Sequence, residues 1–138
     1  MIASCAGPRA WPLAAVLAAG LAGPAAADEV WTSNVGEVVY RDDLGATAVL
    51  QAGPRLLLID GLGGNYDDRG TYAGTWTDQG GGTLACDQPL TDAYGIDSQS
   101  WGRLKITFLD RAFPSRWHAT LTACDGGDVV EVIDAAPQ

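Results

Sequence analysis

The chain has few of the side chains on which enzymes and metal sites depend. Among its 138 residues there are three cysteines, one histidine (His118) and one lysine (Lys105). The cysteines form no Cys-x-x-Cys pair, and no serine sits in a Gly-x-Ser-x-Gly turn. A zinc site needs several cysteine or histidine ligands, and a serine triad would have to recruit His118. We therefore expect no enzymatic activity, no cofactor and no metal.

Long apolar runs are also absent, since none reaches the ~20 residues of a membrane-spanning helix. The longest, Trp11 to Ala22, follows Arg9 and precedes the small residues Ala25–Ala27. That order is typical of a cleaved secretory signal peptide, with an uncleaved membrane anchor as the alternative. We expect residues 1–27 to be removed on export. Residues 28–138 would then form one periplasmic or secreted domain with no stable membrane insertion.

Cleavage would leave two cysteines, Cys86 and Cys124, because Cys5 would leave with the signal. Thiols oxidise in exported proteins, so we expect a structural disulfide between these two residues. Closing a loop of about 40 residues would contribute about 4 kcal/mol to stability.

Positive charge is scarce as well. Eight Lys and Arg residues oppose 17 Asp and Glu, which gives a net charge of −9. An acidic surface disfavours nucleic acid and anionic lipid, since both require phosphate neutralisation. It is compatible with solubility, with cation binding or with a basic partner.

Glycine-rich turns separate short β-rich runs, and no segment keeps a helical apolar period. Apolar and polar residues alternate in Thr71–Thr77, Trp101–Asp110 and Arg116–Cys124. The run Leu56–Ile59 is too short for a helix and suits a strand buried on both faces. Asp78–Gly82 reads as a hairpin turn into another strand at 83–87. We predict an all-β antiparallel meander, with a barrel preferred over a sandwich because a barrel has no edges.

Aromatic side chains near strand ends are the candidate ligand-binding residues. A small ligand in the mouth of a barrel would contact some of four side chains: Tyr72, Trp76, Trp101 and Trp117. The alternative is that these rings fill the core and its open ends. The acidic glycine loops Gly63–Asp68 and Asp125–Asp128 offer calcium-type oxygen ligands, but simple turns of the same composition are favoured.

Two short phrases, Trp31–Gly36 and Gly70–Trp76, resemble the G-T-Y/G-x-W strand phrases of small exported bacterial β-barrel proteins. That resemblance implies a calycin-like barrel. Together with Trp117–Leu121 before Asp125, the same phrases are similar to those of the avidin family of biotin-binding barrels. This second resemblance implies a ligand site formed by four residues: Ser33, Tyr72, Trp117 and Asp125. Glu37 departs from the avidin pattern, which has a small hydroxyl residue there.

Taken together, these features predict an exported, non-catalytic binding module. Its target would be a small ligand in the barrel mouth or a protein partner. The alternative is an inhibitor of a secreted or periplasmic enzyme, acting through an exposed loop at Gly61–Asp68 or Pro89–Gln99. A purely structural protein of the envelope is a third possibility.

Overall fold

The computed structural model describes residues 29–65, 70–80 and 82–138. The predicted signal peptide and the second half of the acidic loop Gly63–Asp68 lie outside these residues. The described residues form ten strands and no helix long and apolar enough to cross a membrane. The strands are β1 (Val30–Ser33), β2 (Gly36–Leu44), β3 (Thr47–Ala52), β4 (Arg55–Asp60), β5 (Gly70–Asp78), β6 (Leu90–Thr91), β7 (Asp97–Ser98), β8 (Trp101–Phe108), β9 (Trp117–Thr122) and β10 (Val129–Pro137).

Eight strands close into an antiparallel barrel in the order β1-β10-β9-β8-β5-β4-β3-β2, which confirms the predicted meander and barrel. The remaining two strands, β6 and β7, pair only with each other. One end of the barrel carries the start of β1 and the end of β10, and we call it the terminal end. The other end carries the turns β1–β2, β3–β4 and β9–β10. We call it the disulfide end.

Large inward-facing side chains are accommodated in the barrel by small ones on neighbouring strands. Trp31, Trp76 and Trp117 are at most 1% exposed. The Trp76 indole crosses over Gly102 on β8, and its Nε1 donates to the Thr122 carbonyl on β9 at 2.9 Å. A Cβ on Gly102 would lie 1.7 Å from that carbonyl oxygen and 2.5 Å from Trp76 Nε1. The absence of a side chain at residue 102 therefore makes room for the tryptophan.

Residues 79–100 leave the barrel between β5 and β8 and cover part of its outer wall. We call this segment the excursion. Val49, Leu56 and Leu58 face outward, yet they are buried in a cluster against which Ala93 of the excursion packs. Leu57 and Ile59 are buried in the barrel core, so the run Leu56–Ile59 is covered on both faces, as predicted.

The predicted disulfide between Cys86 and Cys124 is present, with an S–S distance of 2.05 Å and Cα atoms 5.6 Å apart. It ties the excursion to the turn between β9 and β10. The predicted strand at 83–87 is wrong. The edge of β5 is occupied by β8 through a continuous register from Gly70↔Phe108 to Thr77↔Trp101, so no strand can pair there from the excursion.

Replacing Gly102 by alanine should destabilise the protein by about 3 kcal/mol or more, because the new methyl group overlaps a backbone carbonyl that cannot move freely. Gly80→Ala is the matched control, since the nearest atom to its added Cβ is 3.9 Å away. Urea unfolding of both variants measures the difference. Equal midpoints for the two variants would contradict the close approach at Gly102.

Removing the disulfide by the double change Cys86→Ala and Cys124→Ala should cost about 4 kcal/mol of unfolding free energy. Amide hydrogen exchange should quicken first in residues 82–100, because the excursion loses its covalent attachment while the barrel keeps its strand pairing. Uniform acceleration across all strands would instead show that the bond supports the barrel as a whole.

Candidate functional site

The structure does not bring the four predicted ligand-binding aromatics together. Trp76 lies inside the barrel near the disulfide end, whereas Tyr72 and Trp117 lie inside near the terminal end. Trp101 faces outward, because its neighbour Gly102 is the inward residue opposite Trp76. The Trp101 indole lies under the excursion, where Nε1 donates to the Gln88 carbonyl at 2.6 Å. Trp101 therefore holds the excursion against the wall.

An aromatic cluster fills the terminal end. Phe113, in the connection between β8 and β9, lies 5.8 Å from the ring of Trp31 and 6.0 Å from that of Tyr40. Trp117 stands edge-on to Trp31 at 6.1 Å. Tyr72 joins the cluster through Phe108, at 5.8 Å. Tyr72 and Trp117 thus pack against other rings, as in the core-filling alternative.

A buried hydroxyl borders this cluster. Burial, and secondly the hydrogen bond that Tyr40 donates to the Asp43 carboxylate, raise the pKa of the Tyr40 phenol well above its ordinary value. The phenol therefore stays neutral and keeps its proton on the bond to Asp43. Nearby, Trp31 Nε1 donates to the Ser115 carbonyl at 2.9 Å and fixes the connection between β8 and β9.

Arg55 closes the mouth at the disulfide end. Its guanidinium lies 5.1 Å from the centre of the Trp76 ring, with Nε 3.5 Å from Asp78 Oδ1 and Nη1 3.6 Å from Glu131 Oε1. Asp78 is on the neighbouring β5, but Glu131 is on β10, directly across the barrel from β4. A ligand entering the barrel here would have to displace this guanidinium.

The structure does not bring all four residues implied by the avidin resemblance together. Ser33 Oγ donates to the Gly36 carbonyl and accepts from the Val35 N–H, so it is engaged in the turn between β1 and β2. Asp125 lies on the surface near the disulfide end and pairs with Arg103. Trp117 lies inside near the terminal end. Ser33 and Trp117 border one groove of about 360 Å³, but Tyr72 and Asp125 do not line it, so the four residues form no common pocket.

His118 lies on the exposed outer wall, on the strand face opposite Trp117, as expected. Its Nδ1 is 2.8 Å from Asp134 Oδ1. The hydroxyl on the adjacent strand, Thr107 Oγ1, is instead bonded to Thr71 Oγ1 at 2.9 Å. His118 is therefore oriented by a carboxylate, but the hydroxyl of Thr107 across the strand is bonded to Thr71 and not to the imidazole.

An open groove of about 710 Å³ runs beside the disulfide. Asp87, Asp125 and Asp128 line it together with Trp101. Among residues 29–65, 70–80 and 82–138, no three acidic, histidine or cysteine side chains are grouped as ligands for a metal ion. Asp125–Asp128 is a turn, with the Gly127 N–H donating to the Ala123 carbonyl at 2.8 Å.

The tip of the β6–β7 hairpin is an exposed loop whose backbone is fixed by hydrogen bonds. The Asp92 side chain is buried, and its Oδ1 accepts from the N–H groups of Tyr94 (2.8 Å) and Ile96 (3.0 Å). The Asp92 N–H donates in turn to the Ile96 carbonyl at 2.8 Å. These bonds fix the backbone of a loop that lies within the predicted Pro89–Gln99 segment. An aspartate three residues before glycine is the sequence signal for such a turn.

Two large apolar side chains project from this fixed tip. Tyr94 is 40% exposed and Ile96 is 54% exposed. The guanidinium of Arg41, on β2, lies 5.3 Å from the centre of the Tyr94 ring and supports it. Grooves on either side of the hairpin are lined by carboxylates, Asp60 in one and Asp78 and Asp97 in the other.

Comparisons with protein-family models, with curated proteins and with solved structures found no match to this chain. The resemblances to calycin-like barrels and to the avidin family therefore stay predictions.

Asp92→Ala should destabilise the hairpin by about 1 kcal/mol, because two half-buried N–H groups lose a charged acceptor. Amide exchange at residues 94–96 should then quicken, while the barrel strands keep their protection. Asp92→Asn is the control, since its carbonyl oxygen can accept the same two bonds. Unchanged exchange in Asp92→Ala would show that the carboxylate does not hold the tip.

Proposed function

We propose that this chain is an exported, non-catalytic binding module that recognises a protein partner through the tip of the β6–β7 hairpin. The observation that carries the proposal is the pairing of a fixed backbone with two exposed apolar side chains, Tyr94 and Ile96. Binding energy at protein interfaces concentrates in a few such anchors. A loop that is ordered before binding loses little conformational entropy when it docks.

The burial of the tryptophans favours a surface site over the barrel interior. Trp76 and Trp117 are at most 1% exposed, and the mouth above Trp76 is covered by Arg55. An interior ligand would have to break two ion pairs and separate packed rings. A partner at the hairpin needs no such rearrangement.

Charge supports a basic partner. The chain has a net charge of −9, and both grooves beside the hairpin are lined by carboxylates. Such a field speeds encounter with a cationic protein and opposes an acidic one. A secreted or periplasmic enzyme with a basic cleft fits this chemistry, and the tip would inhibit that enzyme by occupying the cleft.

The test is quantitative capture of proteins from envelope and culture extracts of the producing organism. Immobilised wild-type protein should recover one basic protein, and the double variant Tyr94→Ser, Ile96→Ser should recover at least about tenfold less of it. Rising salt should slow association, because part of the attraction is long-range.

Leu109→Ser is the matched control, since Leu109 is 47% exposed but lies in the connection between β8 and β9 at the terminal end. It should capture the partner as the wild type does. Equal recovery by the hairpin variant, with its thermal midpoint unchanged, would refute the docking role of the tip.

A further inference from the structure

The barrel is closed by a short seam between its first and last strands. β1 has four residues and β10 has nine. They pair at Ser33↔Ala135, Thr32↔Ala136 and Trp31↔Pro137 only. On its other side β10 pairs with β9 along most of its length. The first half of β10 therefore extends beyond β1 and has no strand opposite it on that side.

A side chain takes the place of the missing strand at one point. Asn34 Nδ2 donates to the Val132 carbonyl at 2.8 Å, and Asn34 Oδ1 accepts from the Asp134 N–H at 2.8 Å. In an antiparallel strand the N–H and C=O of one residue point to the same side. The Val132 N–H consequently faces the open side too, next to a carbonyl held only by an exposed carboxamide.

Apolar side chains gather around this open edge. Seven large apolar side chains are exposed among the described residues, and three of them lie on the unpaired part of β10 or in the turn that follows β1. These are Val129 (58%), Val132 (38%) and, in the turn beside Asn34, Val35 (36%). An unpaired strand edge flanked by exposed valines is a template for adding another strand.

We propose that the β10 edge at Val129–Val132 binds an extended cationic segment of a partner protein as an added β-strand. The incoming strand takes the place of Asn34 at the Val132 carbonyl and gains a second bond from the Val132 N–H. Its β-branched side chains pack against the exposed valines.

The negative charge of the chain favours a cationic partner strand at this edge over a second copy of the same chain. Asp128 precedes β10, Asp134 follows the open stretch, and the whole chain carries a net charge of −9. Two copies meeting edge to edge would bring these like charges together, whereas a partner strand with valines at its centre and lysines at its ends would place the lysines opposite the two carboxylates. The site is separate from the hairpin tip, so the two proposals fail independently.

The experiment measures anisotropy of the labelled peptide acetyl-Lys-Lys-Val-Val-Val-Lys-Lys-amide on addition of the protein; as a strand, this peptide has lysines at its ends on the same face as central valines. The same peptide with Glu for Lys tests the charge requirement. Val132→Pro removes the edge N–H, whereas Val132→Thr keeps it and changes only the side chain. Proline is tolerated at such edge positions because the N–H does not face the neighbouring strand.

We expect the lysine peptide to bind the wild type and the Tyr94→Ser, Ile96→Ser variant equally. Val132→Thr should bind within about threefold of the wild type, and Val132→Pro at least about tenfold more weakly. The glutamate peptide should not bind. This pattern identifies main-chain pairing at β10, since general attraction between opposite charges would not distinguish the two Val132 variants.

Equal binding by Val132→Pro, or no binding of the lysine peptide to the wild type, would overturn the proposal. A concentration-dependent dimer of the wild type in sedimentation would overturn it as well, because a second copy would then cover the edge. Should Val132→Pro fail to fold, amide chemical shifts of the wild type decide. Largest changes at Val130–Val132 support the proposal, and changes spread over the acidic wall refute it.

Discussion

The close passage of Trp76 over Gly102 is the contact on which the barrel interior depends. An eight-stranded barrel leaves room for little more than its own side chains, so a large ring on one strand requires a small residue beside it. Gly102 provides that space and lets the indole reach the Thr122 carbonyl two strands away. One hydrogen bond thereby links β5 to β9 across β8. At the terminal end the interior is filled by aromatic rings that pack edge to face.

The excursion gives the barrel a second, external core. Without it, Val49, Leu56 and Leu58 would present an apolar outer wall to water. Trp101 and the disulfide hold the excursion at its base, and Ala93 packs near its tip. The segment that covers this wall is therefore also the segment that presents Tyr94 and Ile96. One segment therefore covers apolar surface and also displays the loop that we propose for docking.

Much of the scaffold was predictable, because alternation and glycine turns report directly on strands. Thr71–Thr77 and Trp101–Asp110 alternate as the barrel requires, and counting cysteines identified the disulfide. The alternation that places Leu104 inward also places Trp101 outward, so the sequence itself argues against Trp101 as a residue lining the barrel mouth. The path of the excursion was not predictable, since it has no periodicity. Nor was the position of Arg55, because a charged residue next to a turn normally faces water.

The short seam between β1 and β10 has a consequence for biogenesis. Most barrel strands pair with a near neighbour in sequence, but the seam joins residues 31–33 to residues 135–137, nearly the full described length apart. Closing so long a loop carries the largest entropic cost of any pairing in the molecule. The amino terminus of a growing chain emerges first, so β1 must wait for the last residues to arrive. The seam is therefore a barrel pairing that cannot form until the chain is almost complete.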